Sequence, residues 1–188
     1  MSRRRRGRGS LFRRRDGTAA VEMALISPML MILLAGIIDF GRAYQEEIEL
    51  SSAVAAASQY ALLNVANINS TNAVSFAATL SGIVANTNGA AWAGATVTVN
   101  DGATNSIAGG ATTASGTAAN ADSCWCPTGA SAAWNWGSAA TCGSACAGGT
   151  LAGKFVTVAG TRQFTAVFTA YGLIGNITLH QSTIVQAQ

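Results

Sequence analysis

Apolar residues run almost unbroken from Thr18 to Ile38, a stretch of 21 residues whose only ionisable side chain is Glu22. A helix of that length reaches roughly 30 Å, enough to cross the hydrocarbon core of a bilayer. Beyond it the helical pattern continues without a membrane's uniform apolarity. Ala43, Leu50, Val54, Ala57 and Ala61 recur at helical spacing, Tyr44 and Ile48 flank them, and no Gly or Pro interrupts Arg42 to Ala66. The spacing predicts one long helix to near Leu63, with a small Ala/Ser face suited to close packing. The stretch NINSTNAVS then breaks it, with Ser70, Thr71 and Asn72 as N-cap candidates. A second helix follows to about Ala85, with Ala73, Phe76, Leu80 and Ile83 on one face.

From Ala95 the period changes from helical to two. ATVTVN (95–100), KFVTV (154–158), QFTAVFTA (163–170) and ITLHQSTIV (177–185) alternate apolar and polar side chains, which predicts an antiparallel sheet of about four strands. Gly160-Thr161-Arg162 reads as a hairpin turn and YGLIGN (171–176) as a longer connection. Residues 101–153 are rich in Gly, Ala, Thr and Ser and show no period, so they read as a loop insertion. The pattern as a whole is α+β. It divides into a leader (1–17), a membrane helix (18–38), a helical segment (39–94) and a β-rich head (95–188).

Charge orients this arrangement. Eight of the eleven basic residues lie before Gly17, whereas Arg42, Lys154 and Arg162 face seven acids after it. A run of arginines beside a membrane-length apolar segment is a topology signal rather than a nucleic-acid footprint. It places the N-terminus in the cytoplasm and exports the body, past a flank of Asp39, Glu46, Glu47 and Glu49. The EEIE acids read as a solvated helix face. A cleavable secretory signal would end in small A-x-A residues, but this run ends in IIDFGRAY. Glu22 is the anomaly, because a carboxylate in lipid costs several kcal/mol unless it is paired or near the interface.

The position of Glu22 gives it a purpose. A basic leader ends in Gly17, Thr18 would be a new first residue, and Glu22 would be the fifth. This resembles the processing site of type IV prepilins, and RRRDGTAAVEMALISPMLMILLAGIIDFGRAY resembles the TadE-like minor pseudopilins of tight-adherence (Flp) pilus systems. The resemblance covers residues 13–63 well, with an echo in ITLHQSTIVQAQ. It implies a pilin-like head on a transmembrane helix and cleavage between Gly17 and Thr18 by a prepilin peptidase. It further implies pairing of Glu22 with the new N-terminal amine of a subunit. Partners would be that peptidase, other pseudopilins, the assembly machinery of the bacterial inner membrane and the lipid bilayer, with no nucleic acid and no cofactor. The family usually has Phe or Tyr after the glutamate, where this chain has Met23, an adaptable apolar substitute. Pro28 leaves the carbonyl of Ala24 without its helical donor, which membrane helices tolerate.

The four cysteines, Cys124, Cys126, Cys142 and Cys146, sit in the low-complexity stretch. In an exported body they read as two disulfides. A Cys124–Cys126 bond would be strained, which leaves 124–142 with 126–146, or 124–146 with 126–142. A zinc site fits less well, since C-x-C…C-x₃-C departs from the usual C-x₂-C pairs. Trp125, Trp134 and Trp136 would cap the stapled loop or form a carbohydrate- or surface-binding patch. His180, the sole histidine, has no acid near it in sequence, and no catalytic or phosphate-binding motif is present, so the chain does not read as an enzyme. The competing function is a plainly anchored, unprocessed interaction protein with a disulfide-stapled binding loop.

Overall fold

The structure, a computed structural model, describes residues 16–129, 134–168 and 175–187. The basic leader before Asp16 and most of the connection 171–176 lie outside the described residues.

Helix α1 (Asp16–Leu63) is 48 residues long, about 72 Å at the standard rise, and continues through Pro28. Its two halves live in different solvents. Val21, Leu25, Met29, Leu33 and Ile37 are each more than half exposed. A soluble core helix would bury such side chains; this half is long and apolar enough to cross a membrane and is left uncovered by the chain. In the second half Leu50, Ala53, Val54, Ala57 and Ala61 are buried, a helical stripe facing the head. The apolar span and the core stripe therefore share one continuous helix. A signal-type cut after the span would fall inside α1.

The chain leaves α1 through a 3₁₀ turn (Val65–Asn67) and enters α2 (Ala73–Asn86). Asn72 holds the N-cap position but makes no side-chain capping bond. Asn69 does the local work instead. Its Oδ1 accepts the amides of Thr71 and Asn72 at 3.0 and 2.9 Å, a short polar side chain turning its own backbone. Ala73, Phe76, Leu80 and Val84 of α2 are buried, and Ile83 packs at the margin. The turn is tied to the head by Asp122, which accepts the Ser70 amide at 2.9 Å. Hydrogen bonds from Ser70 hold the Asp122 carboxyl below the usual aspartate range.

Five strands form an antiparallel sheet in the order β3-β2-β1-β6-β7: β1 (Gly94–Val99), β2 (Ala103–Ala108), β3 (Ala111–Gly116), β6 (Phe155–Phe164) and β7 (Ile177–Gln186). A separate two-stranded ribbon pairs β4 (Cys124–Trp125) with β5 (Ala139–Ala140). Helix α1 packs on β6 and β7, and α2 on β1 and β2. Val97, Val99, Val156 and Val158 fill the space between helices and sheet.

Three expectations are corrected. The expected loop insertion 101–153 holds two strands, β2 and β3, which bring the sheet of about four strands to five. Gly160-Thr161-Arg162 is not a turn: β6 runs straight through it, with Thr161 paired to His180 and Arg162 to Leu179. The third follows from the second, since KFVTV and the start of QFTAVFTA are one strand and pairing stops at Phe164. Gly160 is required by packing. A Cβ there would lie 2.9 Å from a Leu50 methyl, 3.0 Å from Val54 and 3.1 Å from Val84, where both helices press on the sheet.

Candidate functional site

The N-terminal elements of the site lie on the exposed half of α1. Helical backbone begins at Asp16, so Gly17 and Thr18 occupy the first turn. The first turn of any helix has amides without intrahelical partners, and a glycine there lowers the cost of extending the chain for a protease. Thr18 and Glu22 are four residues apart, one above the other on the same face and about 6 Å apart along the axis. Both are exposed, as is Met23. Further along, Ile32, Leu33, Gly36, Ile37 and Phe40 line an apolar groove on the span, where the missing side chain at Gly36 admits close approach by a neighbouring helix or acyl chain.

Where α1 leaves the apolar span, every acid after Glu22 grips a different part of the head. Asp39 is buried and accepts the amides of Val167 at 2.9 Å and Phe168 at 3.0 Å. Arg42 stands 3.8 Å from the same carboxylate and lies over the Phe164 ring. Glu46 accepts from Arg162 Nε at 3.1 Å; the same guanidinium donates to the Trp92 carbonyl and sits over its indole at 5.3 Å. Glu47 accepts from Gln181 on β7 at 3.3 Å, and Glu49 from Asn88 at 2.8 Å. The EEIE acids are thus not simply a solvated face. They join α1 to β6, to β7 and to the α2–β1 connection. The third basic residue beyond Gly17, Lys154, donates to the Ile68 carbonyl at 2.8 Å, so all three cations after Gly17 are spent on internal ties.

This junction should behave as a rigid coupling between membrane helix and head. Arg162→Ala removes an ion pair and a cation–π contact that are partly exposed, so the expected loss is modest, about 1 kcal/mol. Thermal unfolding of the full chain in lipid nanodiscs would show it as a fall in midpoint. Glu46→Gln alone should cost less, since an amide oxygen still accepts from the guanidinium.

At the other end of the head lies the cysteine-containing lobe. Cys124 is bonded to Cys142 and Cys126 to Cys146. With all four sulfurs so engaged, no thiolate remains for zinc, and no group of three metal-ligating side chains occurs among the described residues. The lobe is secured to the segment leading into β6 by paired backbone bonds between Trp125 and Gly153, at 2.8 and 3.1 Å. Trp125 is buried; Trp134 packs edge-on against Phe155 and Trp136 at centroid distances of 5.6 and 5.7 Å. His180 is exposed on the outer side of edge strand β7, with no carboxylate bonded to it among the described residues.

The hub that joins sheet and lobe is Asn100, a residue the sequence does not flag. It is fully buried, its Nδ2 faces the carbonyls of Asn120, Ala121 and Ser123, and its Oδ1 accepts the Phe155 amide at 3.1 Å. The only sequence signal for it is the Asn-Asp-Gly turn after β1, where Asn100 and Asp101 both take positive φ.

No curated protein and no solved structure matches the chain. A family model matches α1, along the apolar span and its junction with the head, and none of the sheet. Residues 17–59 match the family model described as TadE-like protein, a similarity that covers most of α1 and about a quarter of the chain.

Proposed function

We propose that the chain is a minor pseudopilin of a tight-adherence (Flp) pilus apparatus, a structural component rather than an enzyme. It sits in the bacterial inner membrane with its basic leader in the cytoplasm and its head in the periplasm. A prepilin peptidase removes the leader after Gly17. Glu22 then pairs with the amine of a neighbouring subunit's Thr18, other pseudopilins pack against the apolar face of α1, and the assembled head contributes to adherence. The observation that carries this reading is the Gly17-x₄-Glu22 spacing at the very start of a helix that is uncovered along its apolar half and anchored in the head along the other. The TadE-like match, which begins at Gly17, supports it.

The physical logic is that of a desolvated ion pair. A carboxylate among apolar neighbours stays costly until an opposite charge meets it, and processing creates that charge at the N-terminus of the adjacent subunit. The test is co-expression with a prepilin peptidase, followed by mass spectrometry of the intact protein. The expected product begins at Thr18, and Gly17→Leu should leave the leader attached. An uncut wild-type chain, or the same cut in Gly17→Leu, would overturn the proposal.

A further inference from the structure

The sheet has a face that the pilus reading does not use. In the strand register, one side of the sheet turns Ala95, Val97, Val99, Val156 and Val158 to the helices. The outward positions of all five strands carry no Asp, Glu, Lys or Arg. Solvated strand faces ordinarily take charged side chains for solubility. Here hydroxyls stand in their place: Thr96 bonds Ser106 at 3.1 Å, and Thr98 bonds Thr104 at 2.9 Å, forming rungs across β1 and β2. On β6 and β7 the hydroxyls of Thr157 and Ser182 lie outward without a hydrogen-bond partner among the described residues.

An aromatic wall closes one end of this face. Trp134 and Trp136 stand over Thr157, Ala159, Ser182 and Ile184, enclosing a cleft of about 220 Å³. The indole Nε1 of Trp134 is buried and has no acceptor among the described residues. The cleft is smaller than the roughly 300–1,000 Å³ of pockets that engulf a small molecule, so it suits one ring of a longer ligand lying along the face.

We propose that this outer face binds a neutral polysaccharide, one sugar ring standing against Trp134 and Trp136 and the following rings on the Thr/Ser surface. A neutral glycan offers apolar C–H faces for the indoles and hydroxyls that both donate and accept, as Thr and Ser do. The missing charge speaks against nucleic acid and anionic glycans, which need cations. A protein partner is disfavoured by the small apolar area, which comes from Ile184, the two indoles and the short side chains of Ala108, Ala111 and Ala159. Nothing here depends on the cleavage or assembly steps.

The test uses the full chain in lipid nanodiscs, because maltoside detergents carry the ligand chemistry under examination. Neutral hexasaccharides of glucose, mannose, galactose and N-acetylglucosamine, and an anionic hexagalacturonate, are titrated by ligand-observed NMR. At least one neutral hexasaccharide should bind saturably and better than the hexagalacturonate. Trp136→Ala should weaken that binding about tenfold, the worth of one stacked ring. Thr157→Val combined with Ser182→Ala should also weaken it while leaving the thermal midpoint unchanged, which separates lost contacts from lost folding. The proposal is overturned if no neutral hexasaccharide saturates, if the anionic one binds more tightly, or if both variants bind like wild type. Self-association through this face, lost in the same variants while glycan binding is absent, would also overturn it.

Discussion

Glu22→Ala should abolish pilus assembly while leaving the chain in the membrane and its leader still removed. The helix containing Glu22 is anchored by 18 apolar residues between Thr18 and Ile38, so replacing a carboxylate there by a methyl can only strengthen membrane residence. On the proposed function, assembly depends on a different state, in which the carboxylate faces an amine away from water. Removing one partner from such a pair costs about 3–5 kcal/mol, and each 1.4 kcal/mol is about a factor of ten in association, so incorporation should fall by roughly a hundredfold or more. Glu22→Gln distinguishes charge from shape. It keeps the length and an acceptor oxygen but not the charge, and it should fail nearly as badly as alanine. Membrane fractionation, intact-mass analysis of processing and quantification of sheared surface filaments give three separate readouts. Full assembly by Glu22→Gln would show that hydrogen bonding suffices and that the ion pair is not the device; full assembly by Glu22→Ala would remove Glu22 from the mechanism.

How much of this was legible before the fold is best judged residue by residue. Helix α1 announces itself because both of its environments demand apolar side chains, uniform in the span and periodic in the head. Strands β1 and β6 show alternation because each has one buried face, and β7 because the helices half-cover one side of it. Strand β3 has none: all six residues, ATTASG, are exposed, so neither face imposes a pattern. Strand β2 buries Asn105, whose Nδ2 donates to Ser81 at 3.0 Å, and that polar residue interrupts the apolar alternation a strand would show. The same Thr/Ser monotony that makes 101–116 look like low complexity is the hydroxyl face itself. Gly160 was misleading for a specific reason, since glycine marks a turn in sequence but here makes room for two helices. The acids of EEIE look solvated because their partners, Arg162, Gln181 and Asn88, lie 39 to 134 residues away. Local spacing carries no trace of such pairings.

Asn100 is the extreme case of that hidden information, and its replacement should be the most damaging single change in the head. Asn100→Ala removes a donor group facing three carbonyls and the acceptor for the Phe155 amide, all at a site with no access to water. Leaving buried polar groups unpaired costs about 1–3 kcal/mol each where they cannot relax. The backbone adds its own term, because φ at this position is +54° and alanine pays roughly 1–2 kcal/mol for left-handed geometry that asparagine tolerates better. The combined expectation is a loss of about 4 kcal/mol, a large share of the stability of a head this size. Asn100→Gly separates the two causes, since glycine accepts the backbone angle but supplies no amide, and it should recover about 1 kcal/mol of the loss. The damage should also have a direction. The three carbonyls belong to the segment 120–123 that leads into Cys124, so hydrogen exchange should rise first at residues 118–126 and at the Phe155 amide while α2 stays protected. If both variants unfold within about 1 kcal/mol of wild type, or if exchange rises uniformly across the head, Asn100 is a turn residue and not the pin that fastens the disulfide lobe to the sheet.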